Sequence, residues 1–241
     1  MRSSVFMVIF MVIAVSSFAQ DPPPKPWNSS LGAGLAVTSG NSETSNINFA
    51  YSTVYDPKTV RIFKANALYL LGESDGEKQV DKTTANARYE RTISNRTFWF
   101  GELSYLRDPF KAINYLISPI AGAGYYLIKT DARKLSVDGG VGAAIENNRT
   151  TGDSNSAAIQ AGESFDWAIS ATSKFTQRLN GLWKTEDFDD ALYHFDAGLA
   201  TTIATRTELK LSYVVDYKNK PPLPEIEKTD TALFATVLFK F

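Results

Sequence analysis

TDTALFATVLFKF, residues 229–241, alternates from one residue to the next and ends on an aromatic ring. Leu233, Ala235, Val237, Phe239 and Phe241 share one face. Period two with one apolar face marks a half-buried strand. A bare strand end exposes unpaired backbone groups, which is a liability in water. In lipid the apolar face is an asset, provided that the last strand pairs with the first and leaves no edge. The stretch therefore predicts a membrane barrel that its final strand closes.

The same period runs upstream to Trp27, and no segment holds a helical repeat. In 207–218, Leu209, Leu211, Tyr213, Val215 and Tyr217 oppose Glu208, Lys210, Ser212, Asp216 and Lys218. In 134–147, Leu135, Val137, Val141 and Ile145 oppose Ser136, Asp138, Gly140, Gly142 and Glu146. Short interruptions at 55–59, 93–97, 129–133, 170–174 and 204–208 take turns with longer polar ones at 39–44, 72–79, 107–114, 147–156, 185–190 and 218–228. Gly, Pro, Asn and Asp punctuate both kinds, as turns require. Twelve strands result: 28–38, 45–55, 59–71, 80–93, 97–107, 114–128, 134–147, 156–170, 174–185, 191–204, 207–218 and 228–241.

Each strand reaches the roughly 9–11 residues that a membrane crossing needs, where a soluble sandwich strand has about 5–6. Short turns at one end and long loops at the other form the asymmetry of an outer-membrane barrel. The expected fold is all-β: a twelve-stranded antiparallel transmembrane up-and-down barrel with short periplasmic turns and longer extracellular loops. Rings such as Tyr51, Tyr89, Trp99, Trp167, Trp183 and Tyr217 sit near strand ends on the apolar face. Amphipathic rings at both rims suit a membrane interface. A soluble sandwich would have to bury them. Pro119, inside a strand, predicts a bulge, since it cannot donate to the ladder. Glu163 falls on the expected lipid face, so a register shift near Gly162 or a place above the membrane is expected for it.

Composition narrows the function. The 241 residues carry a net charge of -1, which gives no electrostatic basis for a nucleic-acid partner. There is no cysteine and one histidine, so disulfides and multi-histidine metal sites are excluded. Arg2, the apolar run Val5–Val15 and the small residues at Ser17 and Ala19 predict a signal peptide over 1–19, cleaved near Ala19–Gln20. A spanning helix would want about 20 apolar residues. Residues 20–26, rich in proline, read as an extended spacer, and 27–241 as the barrel.

WNSSLGAGLAVTSGNSETSNINFAYS (27–52), NARYERTISNRTFWFGELSYLRDPF (86–110) and IAGAGYYL (120–127) together resemble the YdiY-like family of salt-induced outer-membrane proteins, catalogued largely as a domain of unknown function. The resemblance covers Trp27 to Phe241. It implies an outer-membrane barrel, with no established substrate and no catalytic residues. The alternating apolar positions before Phe241 also resemble the assembly signal of such proteins, which implies the barrel-assembly machinery and outer-membrane lipid as partners.

Face assignment puts Lys64, Arg88, Glu90, Glu102, Asp138, Glu146, Asp166, Arg178, Lys184, His194, Asp196, Glu208, Lys210 and Asp216 inside. Acids outnumber bases in that set, which predicts a mild preference for cations if the lumen conducts. Strand count does not settle conduction: about eight strands give a filled barrel and about 16–18 an open channel. A narrow passive channel for small solutes or ions and a sealed structural barrel with interaction loops both fit. An embedded lipid-modifying enzyme fits poorly. His194 has Asp196 two residues on, where a twelve-stranded phospholipase would place its serine, so a hydrogen-bonded His194–Asp196 pair is expected instead. The carboxylates of 72–81 and 185–190 lack the ligand spacing of a calcium loop. No cofactor is expected.

Overall fold

The computed structural model describes residues 26–40, 44–74 and 77–241. The expected signal peptide, and the expected spacer apart from Pro26, lie outside them. The strands are β1 (Trp27–Ser39), β2 (Thr44–Tyr55), β3 (Arg61–Ser74), β4 (Glu77–Thr92), β5 (Thr97–Asp108), β6 (Ile113–Lys129), β7 (Arg133–Asn148), β8 (Gly152–Ala168), β9 (Ser173–Lys184), β10 (Asp187–Ala204), β11 (Thr207–Lys218) and β12 (Thr229–Lys240). All neighbours are antiparallel, and β12 pairs with β1 from Ser30–Lys240 to Ser39–Thr231, which closes the barrel. The shortest strands have 12 residues. At ~3.3 Å per residue and a tilt of about 45°, that length covers roughly the 25–30 Å of a hydrocarbon layer.

The outer face is apolar. Leu35 is 70% exposed, Val141 66% and Phe239 59%, values that burial against protein would not leave. Rings pack against one another between strands near both ends, tilted or edge-on: Trp27 with Tyr55 and Tyr89 with Trp99 at the short-turn end, Trp183 with Tyr193 and Tyr193 with Tyr217 at the other. Trp183 Nε1 donates to Tyr193 Oη, so these rings keep a polar contact while their bodies face outward.

Four details depart from the sequence reading. Polar segments expected to be loops are partly strand, since β8 begins at Gly152 and β10 at Asp187. Their side chains still alternate, and strands extend past the apolar band wherever backbone pairing continues. Pro119 makes no bulge. It pairs with Leu103, and the β6–β7 register is the same on either side of it. Gly142 supplies the space, because a Cβ there would collide with the Pro119 carbonyl oxygen. Glu163 faces outward with no register shift in β8. It accepts a hydrogen bond from Gln177 Nε2 at 3.0 Å, so a neighbour of the outer face satisfies one carboxylate oxygen.

The fourth departure is the interior. Alternation predicts a polar lumen, but two apolar clusters occupy it. Phe98, Phe100, Ile113, Leu116, Ile120, Ala144 and Ala158 form one. Ala36, Leu70, Val80, Val214, Ala232 and Phe234 form the other. Burying these side chains inside a curved wall removes apolar surface from lumen water, which is favourable.

Candidate functional site

The register puts all fourteen candidate charges on inward positions. They gather into three assemblies. Towards the short-turn end Arg88 of β4 is a hub. Its guanidinium donates to Glu90 (2.9 Å), Glu102 (2.7 Å) and Asp138 (2.9 Å), the last on β7. It lies 3.7 Å from the centroid of the Phe100 ring. A planar, five-donor cation suits that mixture of carboxylates and an aromatic face. Lys64 adds a second cation on Glu90 at 3.0 Å, and Asn86 donates to Glu102.

Towards the long-loop end, Glu146 of β7 takes Lys184 at 2.6 Å and Lys218 at 3.2 Å, and Lys184 also reaches Asp190. The third assembly crosses the barrel. Lys82 on β4 meets Asp216 on β11 at 2.7 Å, although four strands separate them around the wall. Asp216 also takes His194 Nδ1 at 2.7 Å. Beside them, a one-turn 3-10 helix (Pro109–Lys111) between β5 and β6 folds inward. Asp108 caps it by accepting from the Lys111 backbone N–H, and Ala112 ends it at φ 59°. The turn buries Lys111 and brings its ammonium to Asp230 of β12 at 3.0 Å.

His194 therefore pairs with Asp216, not Asp196. Asp196 lies two residues along the same strand, whereas Asp216 is directly opposite across the β10–β11 ladder. Opposed residues bring their Cβ atoms to about 4.5–5.5 Å, closer than the ~6.6 Å between alternate residues of one strand. Of the remaining candidates, Asp166 pairs with Lys174 and Glu208 with Lys240. Arg178, Asp196 and Lys210 make no side-chain hydrogen bond or ion pair among the described residues, although Arg178 and Asp196 are ladder partners.

The inward set read from the sequence leaves out Lys82, Lys111, Lys134, Lys174, Lys240 and Lys218 (the last already on the polar face of its strand) on the basic side and Asp108, Asp190 and Asp230 on the acidic side. Their signal was weak because they stand at strand ends or in segments read as loops. With them included, the expected acidic excess disappears, and with it the ground for a cation preference. At the short-turn rim, Asp56 takes both the backbone N–H and the ammonium of Lys58. Burial alone would raise its carboxyl pKa, but those bonds and the Lys58 charge hold it below the usual value.

Between the assemblies runs one cavity of about 800 Å³. It is lined from Asp56 and Lys58 at the short-turn end to Lys111 and Asp230 at the long-loop end. Lys64, Arg88, Asp138, Arg178, Lys210 and Asp216 border it, while Glu146, Lys184 and Glu208 do not. Among the described residues, no cluster of three His, Asp or Glu side chains has the geometry of a metal site.

The barrel is similar to solved outer-membrane proteins. It matches the NanC porin with a TM-score of 0.58 and 9% identity, over 88% of this chain and 100% of that one. It matches the COG4313 outer membrane channel from Pseudomonas putida F1 with a TM-score of 0.55 and 9% identity, over 91% and 97% of the two chains. At such identities the likeness is one of fold. The sequence is 23% identical to the uncharacterized protein YdiY of Escherichia coli (strain K12) over 207 residues, which is 86% of this chain and 80% of that protein. The model of the family described as protein of unknown function, DUF481, matches residues 31–241, and the chain belongs to that family.

Proposed function

We propose that the chain is an outer-membrane barrel whose narrow lumen passes small solutes passively. The cavity that extends from the short-turn rim to the β5–β6 turn carries this reading. Its volume lies within the roughly 300–1,000 Å³ of small-molecule sites, which fits one solute at a time. The fold likeness to a porin and a channel supports the same class of activity. Protein refolded into a planar bilayer is expected to give discrete conductance steps. Current no greater than that of the bare bilayer overturns the reading.

A second reading is favoured by the Lys82–Asp216 and Lys111–Asp230 pairs, which brace opposite walls: a sealed structural barrel with its loops as contact surfaces. It expects unchanged solute permeability in a deletion strain together with altered envelope integrity under osmotic stress.

Delivery to the outer membrane is part of the proposal. The N-terminal segment would be removed near Ala19–Gln20, and β12 with Leu233, Ala235, Val237, Phe239 and Phe241 would engage the assembly machinery by strand addition. Sequencing the N-terminus of protein extracted from outer membranes tests the cleavage. Loss of membrane insertion in Phe241→Ser tests the signal.

A further inference from the structure

We propose that the lumen is a binding site for a small organic anion with an apolar body, of the chemical class of an aromatic carboxylate. The inference rests on the cavity being the solute path. It adds which solutes are held there.

The cavity is divided by chemistry along its length. Towards the long-loop end members of both apolar clusters line it, Leu116, Leu182 and Leu192 from one and Leu70, Val214 and Phe234 from the other. Water confined between such walls is displaced favourably by an apolar group. The Lys82–Asp216 pair crosses at this end, so a solute meets a barrier there and not an open pipe.

Towards the short-turn end the cavity surface is charged, and its two signs are not equally available. The acids of the Arg88 hub are withdrawn: the side chains of Glu90, Glu102 and Asp138 are 6%, 1% and 8% exposed, and each is already held by a guanidinium N–H. The bases are open. Lys64 is 32% exposed and Lys174 56%. Lys134, Arg178 and Lys210 line the cavity with no side-chain hydrogen bond or ion pair among the described residues. The acids beside them are Asp56, which Lys58 holds, Asp166, which Lys174 holds, and Asp196, the ladder partner of Arg178. Of the charges that line this end, three bases (Lys134, Arg178 and Lys210) and one acid (Asp196) have no side-chain hydrogen bond or ion pair among the described residues. A carboxylate is the ligand that such a surface lacks: it would take a forked pair of bonds from Arg178 and a point charge from Lys210. Lys210 crosses the bare Gly198 backbone, with its Cε 2.8 Å from where a Cβ would stand, so its ammonium is directed along the wall by that gap. An anion seated on these bases leaves its apolar body to extend towards the clusters.

The test is calorimetry on the full barrel in detergent with benzoate, benzylammonium and acetate as probes. Benzoate is expected to bind, and benzylammonium and acetate at least tenfold more weakly. Arg178→Gln/Lys210→Gln is expected to lower benzoate affinity at least tenfold while the barrel keeps its heat-stable gel mobility. Benzylammonium binding as tightly as benzoate overturns the charge assignment, and so does benzoate binding unchanged in a folded double variant. Acetate binding as tightly as benzoate overturns the apolar part. If the double variant does not fold, the three-probe comparison on the native chain decides alone. Conductance of the same preparation separates the two readings. Current without benzoate selectivity overturns this inference and leaves the channel standing; benzoate binding without current overturns the channel and leaves the site.

Discussion

Arg88 and Glu163 are charged residues placed where charge is costly, and they are handled differently. Arg88 is buried inside the barrel with three carboxylates on its guanidinium and a phenyl ring beneath it. Removing one member of a buried charged group leaves the others uncompensated, at about 3–5 kcal/mol. Arg88→Leu is therefore expected to lower unfolding stability by roughly that amount in urea titration of the refolded barrel. Glu163 stands on the outer face with Gln177 as its hydrogen-bond partner. Basic residues at the bilayer midplane cost about 2–4 kcal/mol and acidic ones less. Glu163→Leu is expected to raise stability by about 1–2 kcal/mol in the same titration, an unusual sign for a substitution that removes a hydrogen bond. Sequence alternation gave the face of each residue. It could not give their partners, because Asp138 reaches Arg88 from a strand that is not its neighbour.

At the scale of elements, the turn between β5 and β6 is built on a one-turn 3-10 helix. It folds inward, stabilised by the Asp108 cap, and holds Ala112 in the left-handed region at φ 59°. Such a conformation costs a residue with a Cβ roughly 1–2 kcal/mol. The contacts of buried Lys111 with Asp230 and with the Asp216 carbonyl oxygen offset it. Lys111→Ala with Lys82→Ala removes two of the bridges that cross the lumen at that end, Lys111–Asp230 and Lys82–Asp216. Single-channel conductance is expected to rise about twofold or more, since a narrow constriction dominates the resistance of the pore; an unchanged conductance places the constriction elsewhere. The sequence located this turn and its polar character. Its inward fold was not legible, because Lys111 meets Asp230 and the Asp216 carbonyl oxygen only after β11 and β12 have closed the wall opposite.

At the scale of the whole molecule, closure and filling are separate problems. Closure depends on the β1–β12 seam, where Gly34 leaves no room for a side chain: a Cβ would collide with the Ala235 carbonyl oxygen and the Thr236 backbone. Gly34→Val is expected to block closure, which appears as loss of the compact, heat-modifiable gel band of unboiled protein. Filling depends on which inward side chains meet across a space that the wall encloses. The sequence by itself determined the strand count, the faces and the membrane-facing character, because a pleat alternates strictly and hydrogen-bonds only to its neighbours. Only the tertiary structure decided which charges neutralise one another and which stay open. Lys82 and Asp216 lie 134 residues apart in the chain and meet at 2.7 Å only because twelve strands bend into a ring. The same curvature joins inward Phe, Leu and Ile side chains from several strands into two apolar clusters.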